Sequence, residues 1–257
     1  MTQLLIKNGI VYDPLNGIIG EKMDIAISDG KIVEKVKGND LKVIDASNKL
    51  IFPGGVDPHS HVAGPKVNIG RLFRPEHMRA TVFPKTKNLR AGVGSTVPTT
   101  ILTGYLYALM GYTTVMEPAM APFLARHTHE EMADTPILDQ GAYTLMGNNW
   151  IIMNYLLNKE LEKCAAYVAW LLKATKGFTI KMVNPGGTEA WGWAKNVKDI
   201  DDNVPYFNIT PAEIINGIAK INEMLGLPSS IHIHPNALGH PGNFLVTLKT
   251  LDIPVTL

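Results

Sequence analysis

The feature that most constrains the fold is a regular alternation of short apolar segments with amphipathic segments, which begins near Leu50. The apolar segments have the length of buried strands, and the segments between them have helical periodicity. Strands that alternate with helices pair in parallel. The sequence therefore predicts an α/β fold, either an open doubly wound sheet or a (β/α) barrel. The predicted strands are at residues 50–61, 113–118, 141–149, 178–187, 229–236 and 251–257.

The clearest helix signature occupies residues 210–226. Thr210 is placed to cap its start, Pro211 suits the first helical position, Glu213 completes a capping box, and Gly226 ends it. Two further helices are predicted, at residues 97–112 with Thr96 as a candidate cap, and at residues 159–177 with Cys164 on the apolar side. Because Cys164 is the only cysteine, no internal disulfide can form, and a buried thiol is expected.

Residues 1–52 have a different character and are predicted to form a small composite β domain. They contain short strand-like segments and turn dipeptides, and residues 24–36 are predicted to form a hairpin about Asp29 and Gly30. Subtracting 52 residues from 257 leaves 205, whereas an eight-unit barrel takes about 250 residues. Residues 53–257 are therefore expected to be a partial barrel, truncated after about five units.

The charge balance excludes some classes of partner. The formal net charge is +1, so no nucleic-acid or anionic-membrane partner is expected, and no stretch is long and apolar enough to span a membrane. A single cysteine and the absence of a signal-peptide pattern fit a reducing, cytoplasmic location.

A pair of histidines separated by one residue, His59 and His61, follows the first apolar segment, with Asp57 just before them. Residues two apart in a strand point to the same side, so the three side chains share a face if the strand continues through Pro58. Two imidazoles at a strand end are well placed to bind one metal ion. The alternative is a polar turn whose histidines form only hydrogen bonds, and the pair alone does not decide.

A lysine lies where a strand should be apolar, because Lys181 is flanked by Ile180 and Met182. An ammonium group there loses its hydration unless it is paired or neutral. A plain alternative is a lysine that extends its charged end to solvent from a strand terminus. In a metal site, however, a neutral lysine can add carbon dioxide to become a carbamate, an anionic oxygen ligand that can bridge two cations.

Two more histidines, His232 and His234, occupy one face of the predicted strand at residues 229–236. If this strand points its carboxyl end into the same mouth as the others, His234 lies nearest the rim and His232 one layer deeper. His234 is then the expected ligand, and His232 a partner of a ligand or a core histidine. Three successive strand ends thus place four candidate ligands at one face of a barrel: His59, His61, Lys181 and His234.

The other histidines and the long loops carry weaker signals. His127 and His129 are expected in a loop or at a helix cap, and His77 and His240 receive no metal assignment. Residues 62–97 carry seven basic residues against Glu76 alone, which suggests attraction of an anionic ligand, although a merely solvated basic loop is an equal alternative. The loop after residue 183 is long enough to cover a site, and its tryptophans make it a candidate lid: Trp191 and Trp193.

These motifs together resemble a known family. An N-terminal β unit followed by "PGGVDPHSH", a strand-end lysine and a later strand-end histidine resembles the amidohydrolase superfamily of metal-dependent hydrolases. More narrowly, long stretches over nearly the whole chain resemble the N-terminal portion of the catalytic A-type subunits of formylmethanofuran dehydrogenases. These stretches include "GPKVNIGRLFRPEH", "LMGNNWIIMNYL", "VNPGGTEAWGW" and "IHIHPNALGHPGN".

The resemblance implies a composite β domain and a (β/α)8 barrel with two zinc ions. His59 and His61 would bind one zinc, Lys181 as N6-carboxylysine would bridge both, and His234 would bind the other, while Asp57 and His232 would support the ligands. The family also uses a later histidine and a general-base aspartate, both expected beyond Leu257, so no catalytic base is assigned within these residues.

The resemblance also implies a reaction and partners. Carbon dioxide would be reduced to formate at a tungsten or molybdenum pterin in a partner protein of the complex, and iron–sulfur clusters would also be carried by the partners. The amidohydrolase-type component would condense formate with the amine of methanofuran to N-formylmethanofuran, a step of methanogenesis. Because methanofuran has an anionic tail, Arg71 and Arg74 in the basic loop are candidate binding residues.

Two other functions remain open. One is a cyclic-amide hydrolase of the dihydroorotase or hydantoinase kind, which would share the metal residues. The other is a metal-free scaffold that only docks partner subunits.

Overall fold

The computed structural model describes residues 3–38, 40–72, 100–188 and 197–253, and it divides into two compact units, residues 1–55 and 56–257. The domain boundary predicted at residues 52 and 53 stays a prediction. None of the helices in the described ranges is long and apolar enough to cross a membrane.

The first unit is a five-stranded sheet. Its strands are β1 (Gln3–Asp13), β2 (Ile18–Ser28), β3 (Lys31–Val33), β4 (Leu41–Asp45) and β5 (Leu50–Ile51). The strand order is β3-β2-β1-β4, with β5 also paired to β1, and β4 and β5 both run parallel to β1. The predicted hairpin is confirmed: β2 and β3 are antiparallel, and the two turn residues, Asp29 and Gly30, both have positive φ.

The second unit contains a five-stranded sheet built from β6 (Gly55–Asp57), β7 (Tyr112–Met120), β8 (Asp139–Leu145), β9 (Thr179–Val183) and β10 (His232–His234). The strands lie in chain order, and the pairs β7–β8, β8–β9 and β9–β10 are parallel. A doubly wound sheet reverses its order at a switch point, whereas a barrel adds each strand beside the last. The sheet is therefore the wall of a partial (β/α) barrel, as predicted.

Helices connect these strands. Their bounds are α1 (Pro65–Leu72), α2 (Thr100–Leu109), α3 (Ala125–Asp134), α4 (Trp150–Leu157), α5 (Leu161–Thr175), α6 (Pro211–Met224) and α7 (Phe244–Leu251). The capping box of α6 is confirmed, because the Thr210 hydroxyl accepts from the Glu213 backbone N–H and the Glu213 carboxylate accepts from that of Thr210. The candidate cap Thr96 lies outside the described residues.

The largest apolar core lies where α5 and α6 pack with β9. Cys164, Ile214, Ile218, Ile180 and Met182 are all fully buried there. Cys164 is free, as predicted, and burial raises the pKa of its thiol to about 11. Alternate residues of β9 thus anchor it to the helices, which leaves Lys181 on the opposite face of the strand.

Several predicted elements were wrong. Residues 50–61 are not one buried strand: Leu50 and Ile51 pair with β1, β6 starts only at Gly55, and Leu50 and Val56 are each 59% exposed. Pro53, which lacks a backbone donor, interrupts the ladder between them. The strand predicted at residues 251–257 begins instead as the end of α7, and residues 254–257 lie outside the described residues. Helices α4 and α7 were not predicted.

Candidate active site

The candidate ligands lie at one edge of the parallel sheet. His59 and His61 follow β6, Lys181 is the central residue of β9, and His232 and His234 occupy β10. In a parallel sheet of this kind, the loops at the carboxyl ends of the strands form the functional face. The lysine and one histidine are direct neighbours, because Lys181 is in register with His232 across the β9–β10 pair.

The histidine side chains form a single cluster around His59. The ring centroid of His59 is 4.8 Å from that of His232, 5.7 Å from that of His61 and 5.9 Å from that of His234. The shortest contact joins His59 Nδ1 to His232 Nε2 at 2.6 Å. Residues separated by as many as 173 positions in sequence therefore meet here, as the strand-end pattern predicted.

Lys181 is buried beside this cluster without a partner. Its side chain is 1% exposed, and Nζ has no hydrogen-bond partner among the described residues. Burial lowers the pKa of the amine to about 8, so a substantial neutral fraction exists near neutral pH. Only the neutral amine is a nucleophile toward carbon dioxide, so this environment favours carbamate formation.

The imidazoles are also held neutral. Burial, and secondarily the charge of Lys181, lowers the pKa of His232 to about 4, and the same two causes lower the pKa values of His59 and His234. A neutral imidazole is the form that binds a metal ion. The environment of the cluster therefore suits metal ligation better than it suits cationic histidines.

Asp57 contacts the backbone and not an imidazole. Its Oδ1 accepts the backbone N–H of His59 at 3.0 Å, and its Oδ2 accepts the hydroxyl of Tyr107 at 2.8 Å. The same hydroxyl oxygen lies 2.6 Å from Oγ of Ser60. Asp57 thus fixes the start of the loop that carries His59 and His61.

The acid that does contact an imidazole is Glu117 on β7, which is not among the candidate residues predicted from the sequence. Its Oε1 lies 3.0 Å from His61 Nδ1, and the side chain is 2% exposed. A signal for it was present, because an acidic residue within the apolar segment at 113–118 is as anomalous as Lys181 in its strand. The same criterion that singles out Lys181 therefore finds Glu117.

Three asparagines follow the carboxyl ends of β8, β9 and β10. Asn148 donates to the carbonyl oxygens of Val183 and Asn184, and Asn236 donates to that of Pro185, so the amide orientations of Asn148 and Asn236 are set. The amide oxygens of Asn148, Asn184 and Asn236 are buried and have no hydrogen-bond partner among the described residues. Such oxygens can accept hydrogen bonds from a bound molecule.

The donor set fits metal ions only in part as it stands. Within the described ranges, no three His, Cys, Asp or Glu side chains are gathered around one point. Two imidazole nitrogens on one tetrahedral zinc are about 3.3 Å apart, and the 2.6 Å between His59 Nδ1 and His232 Nε2 is a hydrogen-bond distance instead. The buried, unpartnered amine of Lys181 supplies the missing donor if it becomes a carbamate, so the residues fit the group once that modification is made.

The remaining predicted residues fall elsewhere. His127 and His129 lie within α3, not in a loop, and His129 Nε2 lies 2.8 Å from the carbonyl oxygen of Thr175. His240 follows β10 in a turn. Other predicted positions lie outside the described residues: Arg74, His77, Trp191, Trp193 and the side chain of Arg71.

Comparisons with known proteins agree with this arrangement. The model of the amidohydrolase family matches residues 42–256. The chain is 63% identical over 249 residues to protein FwdA of Methanocaldococcus jannaschii, a match that covers 97% of this chain and 44% of that protein. It is 33% identical over 252 residues to the A-type component of the formyltransferase/hydrolase complex Fhc of Methylorubrum extorquens, with 96% of this chain and 44% of that component covered.

A solved structure extends the second comparison. The crystal structure of the FhcABCD complex of Methylorubrum extorquens with methylofuran contains a polypeptide that matches with a TM-score of 0.86 and 31% identity. The match covers 98% of this chain and 46% of that one. The chain therefore spans less than half the length of the relatives it matches.

Proposed function

The chain belongs to the amidohydrolase family, and on this premise we propose that it is part of a formylmethanofuran dehydrogenase or a related formyltransferase/hydrolase complex. Its reaction is the condensation of formate with the primary amine of methanofuran, or the reverse hydrolysis of the formyl amide. The observation that carries this proposal is the group of neutral histidines around the buried, unpartnered Lys181. The similarity to FwdA and to the Fhc component supports the choice of substrate.

The same cluster supports a dinuclear zinc site. His59, His61 and His234 are the proposed imidazole ligands, and Lys181, as N6-carboxylysine, is the proposed bridge. His232 supports the site from behind: if His59 binds through Nε2, its Nδ1–H donates to His232 Nε2, and the 2.6 Å distance is that of such a hydrogen bond. The lowered pKa of His232 keeps the accepting lone pair available.

The proposed reaction balances as amide formation run from an acid and an amine. A carbon–nitrogen bond forms between the amine and formic acid, one carbon–oxygen bond breaks, and that oxygen leaves as water with one proton from the amine and one from the acid. When bound, the zinc ions supply a Lewis acid that polarises the formyl carbon–oxygen bond. The unpaired amide oxygens of Asn148, Asn184 and Asn236 are proposed to accept hydrogen bonds from the amine and so to orient it.

The partners follow from the relatives. The proposed complex contains further subunits, among them one with a tungsten or molybdenum pterin and others with iron–sulfur clusters, which supply formate. A role for Arg71 and Arg74 in holding the anionic tail of methanofuran stays a prediction.

The test uses the intact polypeptide with the subunits that copurify with it. Metal analysis and hydrolysis of N-formylmethanofuran, dihydroorotate and hydantoin are measured on the same preparation. The proposal expects about two divalent ions per polypeptide and turnover of the formyl substrate only. Turnover of a cyclic amide instead would favour the dihydroorotase-like alternative, and a preparation without bound divalent ions would favour the scaffold.

A further inference from the structure

Two buried carboxylates hold the loop that carries His59 and His61. Glu117 on β7 is 2% exposed and Glu131 on α3 is 4% exposed. Together they accept three consecutive backbone N–H groups: Glu117 Oε2 accepts from Val62 at 2.8 Å and Ala63 at 3.2 Å, and Glu131 Oε2 accepts from Gly64 at 2.6 Å. We call Glu117 and Glu131 the carboxylate clamp.

Gly64 makes this arrangement sterically accessible. Its φ is +100°, in the region that favours glycine, and a Cβ at this position would approach the Thr128 hydroxyl oxygen to 3.0 Å. The chain can therefore turn sharply after Ala63 and present successive N–H groups to the two carboxylates. The loop conformation depends on anions that the chain itself supplies.

Only one member of the clamp also contacts a candidate ligand. Glu117 Oε1 accepts the backbone N–H of Ala119 at 3.1 Å and lies 3.0 Å from His61 Nδ1. Its three backbone partners can only donate, so Glu117 serves as an acceptor throughout and the hydrogen shared with His61 resides on Nδ1. Glu131 instead contacts His127, Nε2 to Oε1 at 3.1 Å, away from the cluster.

The consequence for His61 is a fixed tautomer. With Nδ1 donating to Glu117, the lone pair of the neutral ring is on Nε2, and the ring cannot rotate without losing this contact. The side chain of His61 is 54% exposed, so little else fixes its orientation. A metal ligand with such freedom loses conformational entropy on binding, unless its second nitrogen is held.

From this geometry we infer that Glu117 is a positioning residue, which holds His61 with Nε2 directed to the metal, whereas Glu131 stabilises the same loop without acting on a ligand. The inference rests on the proposed metal site. Removing the Glu117 acceptor should weaken metal retention, in the range of about 10- to 100-fold that the loss of such a carboxylate–histidine contact produces.

The experiment measures the rate of zinc release to a chromogenic chelator from the intact, zinc-loaded polypeptide with its copurifying subunits. The variants are Glu117→Gln, the charge-retaining but shorter Glu117→Asp, and Glu131→Gln, which breaks the other half of the clamp. Glu160→Gln is a surface control, since the Glu160 carboxylate pairs with Lys163 and lies on a helix far along the chain from the clamp. The melting temperature of each metal-free variant is recorded alongside.

The expected pattern separates positioning from stability. Glu117→Gln and Glu117→Asp release zinc at least about tenfold faster than the wild type, whereas Glu131→Gln lowers the melting temperature yet releases zinc at the wild-type rate. The inference is overturned if both soluble Glu117 variants retain zinc normally, or if Glu131→Gln accelerates release equally, or if Glu117→Gln fails to fold while Glu117→Asp releases zinc normally. A wild type that binds no divalent ion contradicts the metal site itself, which is a different outcome.

Discussion

Glu117 and Lys181 are both buried charged residues on the parallel sheet, yet their surroundings are opposite. Glu117 is 2% exposed and has four hydrogen-bond partners, while Lys181 is 1% exposed and has none among the described residues. A buried polar group without a partner costs free energy of folding. Glu117 is therefore explained by the fold itself, and Lys181 is explained only by something added to it.

The largest effect is expected from replacing Lys181. In Lys181→Met, the carbamate cannot form, so metal content should fall and hydrolysis of N-formylmethanofuran should decrease by more than about 100-fold. The metal-free variant should nevertheless be more stable than the metal-free wild type, because the desolvated amine is gone. Enzyme assay, metal analysis and urea unfolding check the three parts. A variant that loses both activity and stability would remove the contrast with Glu117.

Glu117→Leu should have the opposite effect on stability. The change leaves the N–H groups of Val62, Ala63 and Ala119 without their acceptor, and each buried unsatisfied donor costs about 1–3 kcal/mol. We expect the free energy of unfolding of the metal-free protein to fall by about 3 kcal/mol or more in urea denaturation. A change below about 1 kcal/mol would show that the loop rearranges to satisfy these groups elsewhere.

The pH dependence of stability should also distinguish Lys181. Its pKa is about 8 in the fold, against 10.5 for an ordinary lysine amine, so the unfolded chain binds more protons between these two values. The free energy of unfolding of the metal-free wild type should therefore gain a contribution that rises with pH across that window, by up to about 3 kcal/mol.

The matched control for this pH effect is Lys181→Met. Because other groups titrate in the same window, the wild type is compared with this variant at each pH. The free energies of unfolding of the two proteins should converge as the pH rises from about 8 toward 10.5. A constant difference across this range would mean that burial does not perturb the amine of Lys181.

The smallest effect calibrates the others. Thr210→Ala removes one side of the capping box of α6 and should lower the free energy of unfolding by about 1 kcal/mol. Zinc content and turnover should be unchanged, since Thr210 is remote in sequence from every candidate ligand. Loss of zinc in this variant would indicate that the site responds to any loss of stability, which would weaken the interpretation of Glu117.

Local signals allowed the sequence to predict part of this structure. The capping box at Thr210, the hairpin at Asp29 and Gly30, and the burial of Cys164 follow from side-chain chemistry within a few residues. The gathering of His59, Lys181 and the two histidines of β10 follows from chain order, because parallel strands place their carboxyl ends together.

The rest depends on long-range contacts or on ambiguous local chemistry. Glu117 contacts a loop 54 to 56 residues earlier, and no local pattern indicates which buried acid pairs with which histidine. The start of α4 is ambiguous in sequence because its cap, Asn149, also suits the end of the preceding strand, although its side chain accepts from Ile151 and Ile152. Leu50 reads as part of the barrel because its pairing with β1 depends on tertiary structure.

The most direct test of the central claim is 13C NMR of the intact, zinc-loaded polypeptide equilibrated with 13C-bicarbonate, with Lys181→Met as the reference. A buried amine without a partner that is reserved for carbon dioxide should give a carbamate carbon signal in the wild type that the variant lacks. If the zinc-loaded wild type shows no carbamate signal, Lys181 is not the bridging residue and the proposed contrast with Glu117 is wrong.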